Sequence, residues 1–178
     1  MSSTQSSDSP ATSTDPDTES LVASTPANSE ASNSSNSTSE PTAVEIAIAA
    51  HLERVVYDIR DAMNTRNFQR DAHPWNLFMA AYKCEAVAYM SKPQVGMTEF
   101  LRDHERLSRD HPQIHYHFQD VSTHVDPDAI RADCLINEET TGWPPGVTRR
   151  SVGVCKFKLV SGVWRCIGYY NSRGIDAD

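Results

Sequence analysis

Residues 1–42 contain no Lys, Arg, Tyr, Phe or Trp, and hold instead 21 Ser or Thr and six acidic residues. A segment this poor in apolar surface cannot offset the entropy lost on ordering, so 1–42 is expected to be a disordered acidic tail. A basic excess is missing from the rest as well. Six of the 24 acidic residues and none of the 16 basic ones lie in the tail, which leaves 18 acidic against 16 basic residues in 43–178. A near-neutral domain has no basic field to attract nucleic acid or an anionic membrane, and neither is expected as a partner. Long apolar runs are absent, and no apolar stretch follows a basic start, so the sequence predicts neither a membrane span nor a secretory signal. C-x-x-C spacing is absent too. Cys84, Cys134, Cys155 and Cys166 stand well apart, and without an export signal they read as reduced thiols in a cytoplasmic setting.

What is present is one domain's length of patterned sequence, 43–178. Ile48, Leu52, Val55, Ile59 and Met63 recur at three- and four-residue spacings, which predicts an amphipathic helix over about 44–64. The apolar stretch 76–90 fits a short helix followed by a strand near 86–90. A further helix is expected over 98–110, with Thr98 as its N-cap, His111-Pro112 as its end, and its charged residues forming a solvated face. The period then changes to two. Four strands follow at about 113–124, 130–138, 149–160 and 163–171, with Asp126-Pro127-Asp128 and Ser161-Gly162 as turns. Helices followed by a run of antiparallel strands predict an α+β domain with helices on one sheet face.

Within the first of these strands, Ile114, Tyr116 and Phe118 alternate with His115, His117 and Gln119. Two imidazoles and an amide on one face either line a polar cavity or are wet. In a cavity, a neutral imidazole can take a proton and return it near pH 7, as elimination or isomerisation requires. The partners available to His117 are Tyr89, Ser151, Asn64, His115 and Asp133; the alternative is a hydrogen-bonded, non-catalytic histidine. A metal held by His115, His117 and either His124 or Cys134 fits poorly, because His124 has the opposite strand parity and no acid stands at a ligand spacing; no metal and no cofactor are expected. Cys134 and Cys155 alternate with apolar residues and read as buried wall. Trp164, Tyr169 and Tyr170 read as core or as an oligomer interface.

Three short pieces, in order, carry a family likeness: Asn64-Thr65-Arg66-Asn67-Phe68 at the end of the first helix, Gly96 opening a helix, and Gly162-Val163-Trp164-Arg165 leading into the last strand. With them, 43–178 resembles the nuclear transport factor 2-like superfamily and its SnoaL-like branch. The resemblance implies a cone-shaped α+β fold, with about three N-terminal helices packed on a strongly bent antiparallel sheet that encloses a ligand pocket. Among the enzymes of that superfamily the sequence resembles scytalone dehydratase, a cofactor-free lyase: His117-Phe118 stands where that family has its catalytic histidine and the phenylalanine after it. That likeness implies catalytic roles for His117, Tyr89 and Ser151 and puts Asn64 and Cys134 at pocket positions; His115 and Gln119, which share the His117 strand face, and Cys155 are expected to line the pocket as well.

The likeness has gaps. Cys134 stands where that family has a second histidine, Gly153 where it has a pocket asparagine, Asn64 where it has an acid, and Met63 where it has a second tyrosine. The positions of a ketosteroid isomerase base and oxyanion acid fall near Met90 and Cys155, neither of them a carboxylate. The implied function is therefore a small-molecule pocket with lyase or isomerase chemistry on a hydrophobic, polyketide-like metabolite, without the dehydratase's own residue set. The alternative is a non-catalytic binding or dimerisation module, and a homo-oligomer through the sheet face is expected in either case.

Overall fold

The computed structural model describes residues 40–85 and 94–173. Helix α1 runs over Ala43–Asn64 and starts at a capping box. Thr42 Oγ1 accepts from the Glu45 amide, and Glu45 Oε2 accepts from the Thr42 amide at 2.6 Å. The predicted stripe is the buried side: Leu52, Val55, Ile59 and Met63 are buried together with Val56, and Ile48 packs against them. Each fully buried aliphatic side chain contributes about 1.5–3 kcal/mol, which a helix of this length needs in order to hold its place.

A 3₁₀ turn, Trp75–Leu77, leads into strand β1, Phe78–Glu85. The short helix expected in 76–90 is therefore not formed across the described part of that stretch. Phe78 and Tyr82 lie four apart, a spacing that satisfies helix and strand alike; the buried Tyr82 and Cys84 on either side of exposed Lys83 show the alternation of a strand. The strand expected at 86–90 lies outside the described residues. Strand β2, Gln94–Val95, precedes helix α2, Met97–Asp110. Gly96, not Thr98, is the N-cap of α2, with Glu99 Oε2 accepting from its amide. The described residues thus hold two α-helices rather than three.

Strands β3 (His115–Val125), β4 (Arg131–Thr141), β5 (Arg149–Val160) and β6 (Val163–Arg173) match the four predicted. Ser161 and Gly162 both have positive φ, as the tight β5–β6 hairpin requires. The sheet order is β2-β1-β6-β5-β4-β3. It is mixed rather than wholly antiparallel: β6 lies parallel beside β1, with α2 and four strands, β2 to β5, between the two in sequence. Helix α1 packs on β3 and β4, and α2 packs on β1. No helix among the described residues is long and apolar enough to cross a membrane.

Two clamps lock α1 to β3. Asn64 Nδ2 donates to the Tyr116 carbonyl at 2.8 Å while Asn64 Oδ1 accepts from the Tyr116 amide at 2.9 Å. Arg66 donates to the carbonyls of Pro112 and Ile114. Both side chains satisfy backbone groups at an edge of the sheet, beyond which no further strand lies among the described residues.

Candidate functional site

A cavity lies between the two helices and the inner sheet face. Val56, Ile59 and Met63 of α1 and Phe100 and His104 of α2 form one side; Phe78, Tyr82, Phe118, Ile136, Cys155, Glu138, Tyr169 and Asn171 form the other. About 30 Å³ is open to the centre of a water molecule, room for roughly two waters. The lining is mainly aromatic and aliphatic, and its polar groups are His104, Glu138, Asn171 and the phenols of Tyr82 and Tyr169.

Strand β3 turns its Tyr116 and Phe118 face inward and leaves His115, His117 and Gln119 exposed. The two-histidine face is therefore the wet one, and none of the three lines the cavity. Hydrophobic burial decides this, since Ile114, Tyr116 and Phe118 have α1 and α2 to pack against and the imidazoles gain nothing by displacing them. A bulge between Phe118 and Asp120 then changes the strand's parity. Val121, Thr123 and Val125 carry the inward face beyond it, and His124, expected on the opposite face, joins His115 and His117 outside.

The cavity histidine is His104. The charged residues of α2 are expected to form a solvated face, yet Asp103 is buried with its neighbours His104 and Ser108. His104 falls four residues after Phe100 and three before Leu107, within the helix's own apolar stripe; that spacing is the signal that identifies it. Its ring stacks on Phe100 at 4.1 Å, and its Nδ1 lies 2.9 Å from the Phe100 carbonyl. A carbonyl only accepts, so this contact assigns the proton to Nδ1 and leaves Nε2 as the basic nitrogen. Burial pushes His104 down to about 4, so the ring is neutral at pH 7.

Facing the helices, Glu138 continues the inward alternation of Ala132, Cys134 and Ile136 on β4. An acid that extends an apolar alternation is the sequence signal here, obscured because Glu138 sits at the predicted strand end. Its Oε2 accepts from Tyr169 Oη at 2.9 Å and its Oε1 from Thr140 Oγ1 at 3.2 Å. Burial raises the Glu138 pKa, while the hydrogen bonds from Tyr169 and Thr140 oppose the rise. Burial and the neighbouring Glu138 charge push Tyr169 well above the usual phenol range, so it stays a protonated donor. Asn171 Nδ2 donates to Tyr169 Oη at 2.9 Å and to Ser151 Oγ at 3.2 Å.

Of the residues expected at the site, Cys155 lines the cavity and Ser151 stands one hydrogen bond behind it, through Asn171. A hydrogen bond with Cys166, and then burial, raise the Cys155 pKa, so its thiol is no nucleophile. Cys134 is buried beside Thr123 Oγ1 at 3.1 Å, does not line the cavity, and is pushed up to about 12 by burial. Asn64 is spent on the β3 backbone. Tyr89 lies outside the described residues. Among the described residues, no three His, Cys, Asp or Glu side chains are grouped to hold a metal ion.

Two helices packed across the inner face of a sheet in this strand order, with a cavity between them, define the nuclear transport factor 2-like fold. Solved structures agree. A hexachlorocyclohexane dehydrochlorinase (LinA-type3) from Novosphingobium barchaimii LL02 superposes with a TM-score of 0.60 at 10% identity, covering 74% of this chain and 90% of that one. A dehydratase candidate of the NTF2-like family from Streptomyces avermitilis gives 0.55 at 17% identity, covering 73% and 98%. An NTF2-like protein of unknown function from Pseudomonas putida KT2440 gives 0.56 at 12% identity, covering 75% and 91%. At these identities the likeness is one of fold. No family model matches the sequence, and comparison with curated proteins finds no match.

Proposed function

We propose that this chain is a SnoaL-like lyase or isomerase that works by acid–base chemistry of its own side chains on a compact, hydrophobic, polyketide-like metabolite in the inner cavity. One observation carries the reading: an apolar cavity brings together a neutral imidazole and a carboxyl group of raised pKa. A domain core gains no stability from a buried His104 and half-buried Glu138, Tyr169 and Asn171 around a void, whereas a site needs such groups. Structural neighbours that include a dehydrochlorinase and a dehydratase candidate support the same reaction class.

In this reading Glu138 is the proton carrier. A carboxylate whose pKa is raised by burial is a stronger base than a solvated one. It takes a proton from a substrate carbon. In an isomerisation it returns that proton to a second carbon; in a dehydration it delivers it to the departing hydroxyl, which leaves as water. Tyr169 holds the carboxylate in place, and His104 orients a substrate hydroxyl by accepting its hydrogen bond at Nε2. The cavity is tight, so entry of a ligand requires lining side chains to move, which favours small members of the substrate class.

The test is turnover of compact neutral β-hydroxy and β,γ-unsaturated carbonyl compounds, followed by the ultraviolet absorbance of the conjugated product. Glu138→Gln should lose at least about 100-fold in rate, the usual scale for a general base, while His117→Ala stays close to the parent. Equal turnover by Glu138→Gln and the parent sinks the reading.

A second reading concerns assembly. Leu135, Val154 and Tyr170 pair in one row across β4, β5 and β6 on the outer face, with Val152 beside them. Leu135, Val152 and Tyr170 are 44%, 40% and 37% exposed. The ion pairs Arg150–Glu139 and Lys156–Asp133 stand on the same face. An apolar row with charges on either side suits a second copy of the same sheet, and we propose a homodimer through this face. Such a dimer is compatible with the cavity chemistry, and is also what a purely non-catalytic dimerisation module would form.

A further inference from the structure

The sheet order places β5 between β4 and β6, yet Tyr169 of β6 donates to Glu138 of β4. The bond has to pass over β5. It does so beside Gly153, whose register partners are Ile136 on β4 and Asn171 on β6. A Cβ at position 153 would stand 2.5 Å from Tyr169 Oη, 2.7 Å from its Cε2 and 2.9 Å from its Cζ. All three lie well inside van der Waals contact. The backbone at Gly153 is not in the left-handed region, so the need for glycine there comes from the tyrosine ring and not from the local chain conformation.

Asn171 completes the arrangement. Its Nδ2 donates to Tyr169 Oη and to Ser151 Oγ, which fixes the amide's orientation. With a lone pair of Oη accepting from Asn171, the hydroxyl's own hydrogen is directed at Glu138 Oε2. The missing side chain at 153, the ring lying over the gap and the amide across the register together form one unit.

We propose that Gly153 and Asn171 are positioning residues: Gly153 opens the path across β5 and Asn171 aims the hydroxyl, so that Tyr169 holds the Glu138 carboxylate. The functional weight of this unit rests on the reading of Glu138 as the proton carrier, but its existence does not, and the test reads Glu138 directly.

The experiment follows the Glu138 carboxyl titration by ¹³C NMR in the full chain, for the parent, Tyr169→Phe, Gly153→Ala, Asn171→Ala and the Gly153→Ala/Tyr169→Phe pair. Tyr169→Phe removes a donor to the carboxylate and should move the titration to higher pH. Gly153→Ala and Asn171→Ala should move it the same way, Asn171→Ala by less. Because Gly153 acts through the hydroxyl, the double variant should titrate like Tyr169→Phe alone. If Gly153→Ala does not fold, Tyr169→Phe and Asn171→Ala decide the matter. A Glu138 titration unmoved by Tyr169→Phe overturns the proposal even if the cavity proves catalytic, and shifts as expected uphold it even if no substrate is turned over.

Discussion

The hydroxyl of Tyr169 on β6 donates to Oε2 of Glu138 on β4 at 2.9 Å, passing over the strand that separates them. This contact joins polar groups on non-adjacent strands, and it belongs to the cavity that also holds His104. Its partners are all built from strand residues, whose positions the ladder fixes more tightly than loops could.

Glu138 should cost the fold stability at neutral pH. Its folded pKa is raised, so whatever stability it contributes is present below the unfolded carboxylate value and is lost as pH rises through the folded value. Glu138→Gln removes that titration. The stability of Glu138→Gln relative to the parent should therefore increase from acidic to neutral pH in urea unfolding. A constant difference across that range would mean that the carboxyl is not held out of water.

His104 predicts the opposite slope. Burial holds it at about 4 in the fold against an ordinary value of 6.5, so the unfolded chain binds more protons between those values. Its stability contribution is intact above about pH 6.5 and is lost as pH falls toward 4, by about 3 kcal/mol over the window. His104→Gln lacks this term, and the parent's advantage over it should shrink by that order in chemical denaturation at successive pH values.

Asn64 is a test of architecture alone. Asn64→Ala breaks both hydrogen bonds to the Tyr116 backbone and leaves a strand edge unsatisfied, costing about 1–3 kcal/mol. Thermal unfolding should show the loss, and ligand response per folded molecule should be unchanged.

The outer face makes a separate prediction. If Leu135, Val154 and Tyr170 pair with a second copy, the parent runs as a dimer in light scattering, and Leu135→Glu or Tyr170→Glu runs as a monomer with its fold intact by circular dichroism. A monomeric parent at tens of micromolar removes the assembly proposal and leaves the cavity untouched.

Much of the fold was legible in the sequence because it is written in period. Leu52, Val55, Ile59 and Met63 announce one buried helix face, and the last four strands follow from alternation and from turns such as Ser161-Gly162. Period fails where two elements share a spacing, as Phe78 and Tyr82 do, and where a bulge shifts parity, as beside Gln119. The candidate site was less legible for a physical reason. Sequence reading treats charge as a mark of solvent, whereas a site buries charge at a cost; His104 and Glu138 each occupy an apolar position in an otherwise regular pattern. His115 and His117 advertised chemistry from the wet face, while Asn171, in register with Gly153, supplies the amide that position 153 lacks. No local pattern shows that a tyrosine will cross an intervening strand.

If a ligand binds in the inner cavity and not on the outer histidine face, the two sets of side chains must respond differently to it. The most direct test is thermal stabilisation by compact neutral hydroxy-carbonyl compounds, measured on the parent, His117→Ala, His104→Gln and Glu138→Gln, since a ligand that binds only the folded state raises its melting temperature. The parent and His117→Ala should be stabilised equally by the same compounds, and the two cavity variants less. Stabilisation that survives both cavity changes and vanishes in His117→Ala would contradict the account.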